Sequence, residues 1–177
     1  LESGEEFIFD QIVVATQPQH AGPMIAKDQP ALAHHFQQID FATSNMVVHR
    51  DSSIYPRPWH QISPVCYSVN PNHQRPMATV CLNKSMPTVK DCLPVFQTWH
   101  PTQTINPDTV LASVTFERPI ISFESLNHIQ EIKKSMQKDN NRIWFCGSYL
   151  GDGIPLLEAG VRSSLAVANN LGVKTPW

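Results

Sequence analysis

The stretch Trp144-Phe145-Cys146-Gly147-Ser148-Tyr149-Leu150-Gly151-Asp152-Gly153-Ile154-Pro155 decides how this chain is read. A short apolar run over 143–146 gives way to three glycines within seven residues, and the spacing predicts a helix opening at Pro155. Buried strand, glycine turn and helix N-terminus, in that order, bring backbone N–H groups close to an anionic or electron-rich ligand in α/β proteins. Pro155 suits the first helical position, where a missing N–H costs nothing. Leu157, Val161, Leu165, Ala168 and Leu171 recur at helical spacing, and Gly172 supplies a stop. The other face carries Ala159, Gly160, Ser163 and Ser164, small enough for the helix to approach a neighbour or a flat ligand closely.

At the opposite end, Phe7-Ile8-Phe9-Asp10-Gln11-Ile12-Val13-Val14-Ala15-Thr16 reads as a strand, a polar break and a buried strand. Between the two ends the sequence predicts strands over 45–49, 65–69, 78–83, 95–99 and 111–116, each bounded by Pro, Asn, Ser or Asp. Alternation in Cys66-Tyr67-Ser68-Val69 and over 111–116 predicts a sheet with one covered face. Helices are expected over 31–38 and 125–138. In the second of these, Leu126, Ile129, Ile132 and Met136 share a face, and Lys133, Lys134 and Lys138 lie near the C-terminus, where the helix dipole favours cations.

The two terminal stretches resemble the FAD-dependent amine oxidase and carotenoid desaturase superfamily, and within it a subgroup described as predicted NAD/FAD-binding or amine oxidase-like. The counterparts of that C-terminal flavin motif are Phe145-Cys146-Gly147, Asp152-Gly153, Glu158-Ala159-Gly160 and Arg162-Ser163-Ser164-Leu165-Ala166; Phe9-Asp10 with Val13-Val14-Ala15-Thr16 matches the segment that returns the chain to the FAD domain. The resemblance spans nearly the whole chain. It implies an α/β protein, α+β overall. Half of a Rossmann-like FAD-binding domain would occupy 1–25 and 140–177, with a β-rich substrate domain inserted over 26–139. Val13 and 143–145 are then expected in neighbouring parallel strands, with the C-terminal helix packed on them.

FAD is the implied cofactor, and Gly147, Ser148, Gly151, Asp152, Gly153, Ile154 and Glu158 are the implied cofactor-binding residues. In the family the helix N-terminus points at the N1–C2=O edge of the isoalloxazine, where the partial positive charge of the helix end meets the negative charge of reduced flavin. The implied reaction is hydride transfer from a substrate C–H, or from a carbon next to nitrogen, to flavin N5. No residue of this chain is assigned as a general base.

Two departures bear on substrate. Ser148 stands where amine oxidases carry an acidic residue, and Leu156 where an aromatic residue walls the amine site. The acidic residue helps hold the FAD in those proteins; the loss of the aromatic wall, with Gly151-Asp152-Gly153 and Pro155 resembling the desaturase and protoporphyrinogen oxidase branches, favours an apolar or lipid-like small molecule over an amine. The Gly-x-Gly-x-x-Gly strand–turn–helix signature, which holds the ADP half of FAD, does not occur. The expectation is therefore that an N-terminal FAD-binding segment of the same protein is the missing partner, and that these 177 residues are its C-terminal part. The alternatives are a non-catalytic substrate-binding or interaction lobe that keeps the flavoprotein fold, and a self-standing α/β binding domain.

Substrate-lining candidates are Tyr149, inside the glycine loop, and Trp59 and Trp99, each followed by a histidine. Composition excludes other classes. Apolar residues make up 41%, enough for a core, while a formal net charge of −2 gives no basis for binding nucleic acid or an anionic membrane. No apolar run approaches the roughly 18 residues of a membrane span. Cys66, Cys81, Cys92 and Cys146 lack Cys-x-x-Cys pairing, and the eight histidines lack metal-ligand spacing, so no metal site is expected. Unpaired thiols fit a reducing, cytoplasmic setting. No Gly-x-Ser-x-Gly nucleophile motif is present.

Overall fold

The computed structural model describes residues 4–55, 57–69, 72 and 76–174. They form two compact units: one from the described residues of Leu1–Phe41 and Pro119–Trp177, the other from Ala42–Arg118. The chain is mixed α/β, with five α-helices and two sheets among the described residues.

In the first unit, β1 (Ile12–Val14) and β7 (Ile143–Phe145) run parallel, with Ile12 opposite Ile143, Val13 opposite Trp144 and Val14 opposite Phe145. The neighbouring parallel strands expected from the two terminal motifs are thus present. Residues 7–9 form no strand, however, and Phe7, Ile8 and Phe9 are well exposed. A strand persists only with a hydrogen-bonding neighbour, and among the described residues 7–9 have none. Ile12 and Val13 are also exposed, leaving only Val14 of β1 buried.

Four helices surround this pair: α1 (Pro18–Ile25), α2 (Pro30–Gln37), α4 (Phe123–Met136) and α5 (Leu157–Asn170). The pattern over 17–25 gave no helix signal, because Gly22 and Pro23 both break helices in isolation. Tertiary contact rescues it. A Cβ at Gly22 would stand 3.1 Å from Phe36 Cβ and 3.3 Å from Ala33 O, so glycine lets α1 and α2 approach closely. Phe36, fully buried, packs its ring 4.8 Å from that of Phe145, and Ile129 and Ile132 of α4 close the same core. Each such side chain contributes about 1.5–3 kcal/mol through burial. Consequently α2 and α4 belong with the strand pair, and the unit boundaries fall at 41/42 and 118/119 rather than at the expected 25/26 and 139/140.

α4 starts with a reciprocal cap, in which Ser122 Oγ accepts the Ser125 N–H and Ser125 Oγ accepts the Ser122 N–H. Ile129 and Ile132 are buried as expected, but Leu126 remains exposed. α5 differs more. It opens at Leu157, not Pro155, with Leu156 extended in the capping position. Its buried residues are Ala159, Ser163 and Val167. The small face therefore packs inward, and the apolar stripe Leu157, Val161 and Leu165 faces an open trough.

The second unit is a five-stranded sheet in the order β3 (Val65–Ser68), β4 (Met77–Cys81), β5 (Phe96–Trp99), β2 (Phe41–His49), β6 (Val110–Pro119). The β3–β4, β4–β5 and β5–β2 pairs are antiparallel. All five expected strands are found, but β2 begins four residues earlier than expected, β6 runs three residues further, and β4 ends two residues sooner, where Leu82 and Asn83 begin a one-turn helix, α3 (Leu82–Ser85). Alternation buries Met77, Thr79, Cys81, Phe96, Thr98 and His49 on one face. Buried Asn83 holds the following turn by donating to Val89 O and Cys92 O and accepting the Val95 N–H.

Candidate functional site

The two parallel strands end at Val14 and Phe145, and the residues just beyond them open a trough. In open α/β sheets ligands bind outside the carboxyl ends of the strands. Ala15 and Cys146 form its floor; Gly147 and Ser148 follow; Pro155, Leu156 and Leu157 stand at the helix entrance; Gly160, Val161, Ser164, Leu165 and Ala168 form the α5 wall. Val173 and Lys174 complete the rim of a space of about 870 Å3.

The glycine turn is held from below. A Cβ at Gly147 would lie 2.7 Å from Tyr149 Cε1, and one at Gly151 would lie 2.5 Å from Ala159 O, so both positions must be glycine for the turn to pack on α5. Ser163 Oγ accepts the Gly147 N–H at 2.9 Å and lies 2.8 Å from Gly147 O and 2.9 Å from Gly160 O. Gly160 is open by contrast: a Cβ there would meet Ser148 N at an ordinary 3.7 Å.

No side chain caps the α5 N-terminus. The first N–H groups of a helix lack intrahelical acceptors and carry a partial positive charge, so this end is a donor surface beside the trough. Glu158, in the first turn, is turned to solvent and pairs with Arg162 at 2.8 Å. Asp152 pairs with Lys133 of α4 at 3.0 Å while almost fully exposed, a contact of small energetic weight.

Of the residues the resemblance assigns to the cofactor, Gly147 and Ser148 line the trough. Gly151 packs beneath α5; Asp152 faces α4; Ile154 and Glu158 are exposed to solvent; nothing lies within 4 Å of a Cβ built at Gly153. The trough also takes in Leu156, expected at the substrate wall, and Gly160 and Ser164, two of the small residues expected near a neighbour or a flat ligand; it adds Ala15, Cys146, Leu157, Val161, Leu165 and Ala168, to which sequence reasoning assigned no site role. Leu157, Val161, Leu165 and Ala168 were visible as an apolar helical stripe.

Tyr149, expected at a substrate pocket, is instead in the core at 2% exposure, its ring 6.3 Å from Phe36. Its hydroxyl is buried without a hydrogen-bond partner, and burial pushes its pKa above the usual phenol value. Trp99 belongs to the second unit, half-buried with its ring 5.5 Å from Phe116, and does not line the trough. The backbone of Trp59 begins a short 3-10 turn, Trp59–Gln61; its side chain lies outside the described residues.

All four cysteines are unpaired, and among the described residues no group of three or more His, Cys, Asp or Glu converges as a metal site needs. Among the described residues no helix is long and apolar enough to cross a membrane. No protein-family model matches the chain, and comparison with curated proteins finds no significant match.

Proposed function

We propose that this chain supplies the ring-binding edge of an FAD-dependent oxidoreductase similar to the amine oxidases and carotenoid desaturases. The observation that carries the reading is the trough at the carboxyl ends of β1 and β7, bounded by a glycine turn and by the uncapped N-terminus of α5. The residues fit a flavin ring. Small side chains at Ala15, Gly147, Gly160 and Ala168 leave room for a flat group, and Val161 and Leu165 give it apolar walls. Leu157 is 86% exposed, an apolar side chain held out beside the space and awaiting cover.

The chemistry a bound flavin supplies is acceptance of a hydride from a substrate carbon. The chain's own part is binding and electrostatics. The backbone donors at the start of α5 would face the N1–C2=O edge and offset the negative charge that develops there. Leu156, Leu157 and Val161 would keep water from that edge. Leu156 in place of an aromatic wall favours an apolar or lipid-like substrate over an amine. An N-terminal segment with a phosphate-binding turn would hold the ADP half, for which this chain has no signature sequence.

Lumiflavin, the ring system without ribityl phosphate or ADP, tests the reading directly. At about 0.3 kcal/mol per non-hydrogen atom such a ring binds in the high-micromolar range. Quenching of lumiflavin fluorescence by the 177-residue chain should therefore saturate in that range, and Gly160→Leu, which fills the trough from the α5 wall, should abolish it without lowering the melting temperature. No saturable quenching, or equal quenching by folded Gly160→Leu, overturns the proposal.

A further inference from the structure

The second unit contains a separate cavity of about 580 Å3, between β3, β4 and residues Ser53, Ile54, Tyr55, Arg57 and Ile62. Its apolar wall is Ile54, Ile62 and Met77; its polar groups include Tyr55, Arg57 and Thr79.

A run of buried hydrogen bonds leads into it, and its direction is fixed at one end. The Asp51 N–H donates to His49 Nδ1 at 3.2 Å, so that nitrogen carries no proton and the ring hydrogen sits on Nε2. Nε2–H donates to Thr98 Oγ1 at 2.8 Å. Thr98 must then direct its own hydrogen elsewhere, and Thr79 Oγ1 lies 3.0 Å away. His49, Thr98 and Thr79 are all essentially fully buried. Thr79 stands beside the Tyr55 hydroxyl, which is itself buried with no hydrogen-bond partner among the described residues. Burial raises the Tyr55 pKa, so the group is a neutral O–H donor. His49 thus donates to Thr98, Thr98 lies within hydrogen-bond reach of Thr79, and the buried Tyr55 hydroxyl at the cavity has no acceptor among the described residues. A buried donor left unmet is destabilising.

Arg57 adds a full positive charge at the same cavity, and among the described residues it has no ion-pair partner. A guanidinium at the rim and a hydroxyl donor in the wall of one cavity are chemistry that selects a carboxylate. We infer that this cavity is a binding site for a small monocarboxylate with an apolar body, its carboxylate held by Tyr55 and Arg57 and its chain lying on Ile54, Ile62 and Met77. The site lies wholly within the second unit and stands whether or not the first unit binds a flavin.

Calorimetric titration of the chain with octanoate should show one saturable site with a Kd below about 1 mM. Octylamine, of equal chain length and opposite charge, should not compete. Tyr55→Phe keeps the ring contact with Phe96 (centroids 5.1 Å apart) and removes only the donor, and Arg57→Gln removes only the charge. Each should weaken octanoate binding by about tenfold, as loss of a hydrogen bond to a charged group predicts, with melting curves like the parent's. No saturable octanoate binding, competition by octylamine, or either folded variant binding within about twofold of the parent overturns the inference.

Discussion

Ser163 ties the glycine turn to α5 through a single oxygen: its Oγ accepts the Gly147 N–H at 2.9 Å and sits 2.8 Å from Gly147 O. Its one hydrogen goes to Gly147 O or to Gly160 O, which is 2.9 Å away. The geometry makes a side chain on the inner face of the helix responsible for the shape of a loop sixteen residues earlier.

Ser163→Ala should therefore destabilise the fold by about 1–3 kcal/mol, since Gly147 N–H loses its acceptor in a poorly solvated position. Chemical denaturation measures this as a lower midpoint at unchanged slope. A change below about 0.5 kcal/mol would place the turn's stability elsewhere.

The 177-residue chain should purify without bound FAD. On the proposed reading the chain supplies only the ring edge of a flavin site, and most affinity for a dinucleotide resides in phosphate-binding turns. Visible absorption of the purified protein is the measurement. A stoichiometric flavin band would show that the ADP half is held by residues carrying no recognisable signature.

Gly153 and Gly160 should separate stability from binding. Gly153 has φ +82°, a conformation that side chains adopt poorly, so Gly153→Val should cost about 1–3 kcal/mol even though nothing crowds its Cβ. Because Gly153 does not line the trough, lumiflavin binding by the folded variant should persist. Thermal melts and fluorescence titration on the same samples check both halves. Lost binding in a fully folded Gly153→Val would move the ring toward the loop apex.

Stability should fall as the pH drops below about 6.5. His49 is buried, and desolvation holds its pKa below the usual value, with Asp51 opposing only in part. His35 is lowered by desolvation, then by His128, whose Nδ1 lies 2.9 Å from its own; His34 adds to this and Glu131 opposes it. A histidine whose folded pKa is depressed binds its proton first in the unfolded chain. Its stabilising contribution is complete above 6.5 and is lost as the pH falls toward the lower folded value. Urea midpoints between pH 7.5 and 5 should show the decline, and His35→Gln should flatten it. An identical slope in the variant would exclude the α2–α4 histidine pair as a cause.

The family resemblance alone led to the parallel terminal pair; the sequence's own pattern determined the strand–turn–helix order over 143–172 and the five strands of the second unit. These follow from local pattern: apolar runs, punctuation and alternation act over a few residues and are visible in them. Tertiary structure alone decided the rest. α1 exists because Gly22 lets it lie against Phe36, although Gly22 and Pro23 argue locally against any helix. The unit boundaries depend on which core Phe36, Ile129 and Ile132 enter, and periodicity shows that a face is apolar without saying what covers it. For the same reason the two faces of α5, one apolar and one small, did not reveal which of them packs inward. The turn at Gly147 and Gly151 approaches so closely that small residues, Ala159 and Ser163, are the ones that fit beneath it. Steric closeness, not hydrophobicity, chose the inward face and left Leu157, Val161 and Leu165 to line the candidate site.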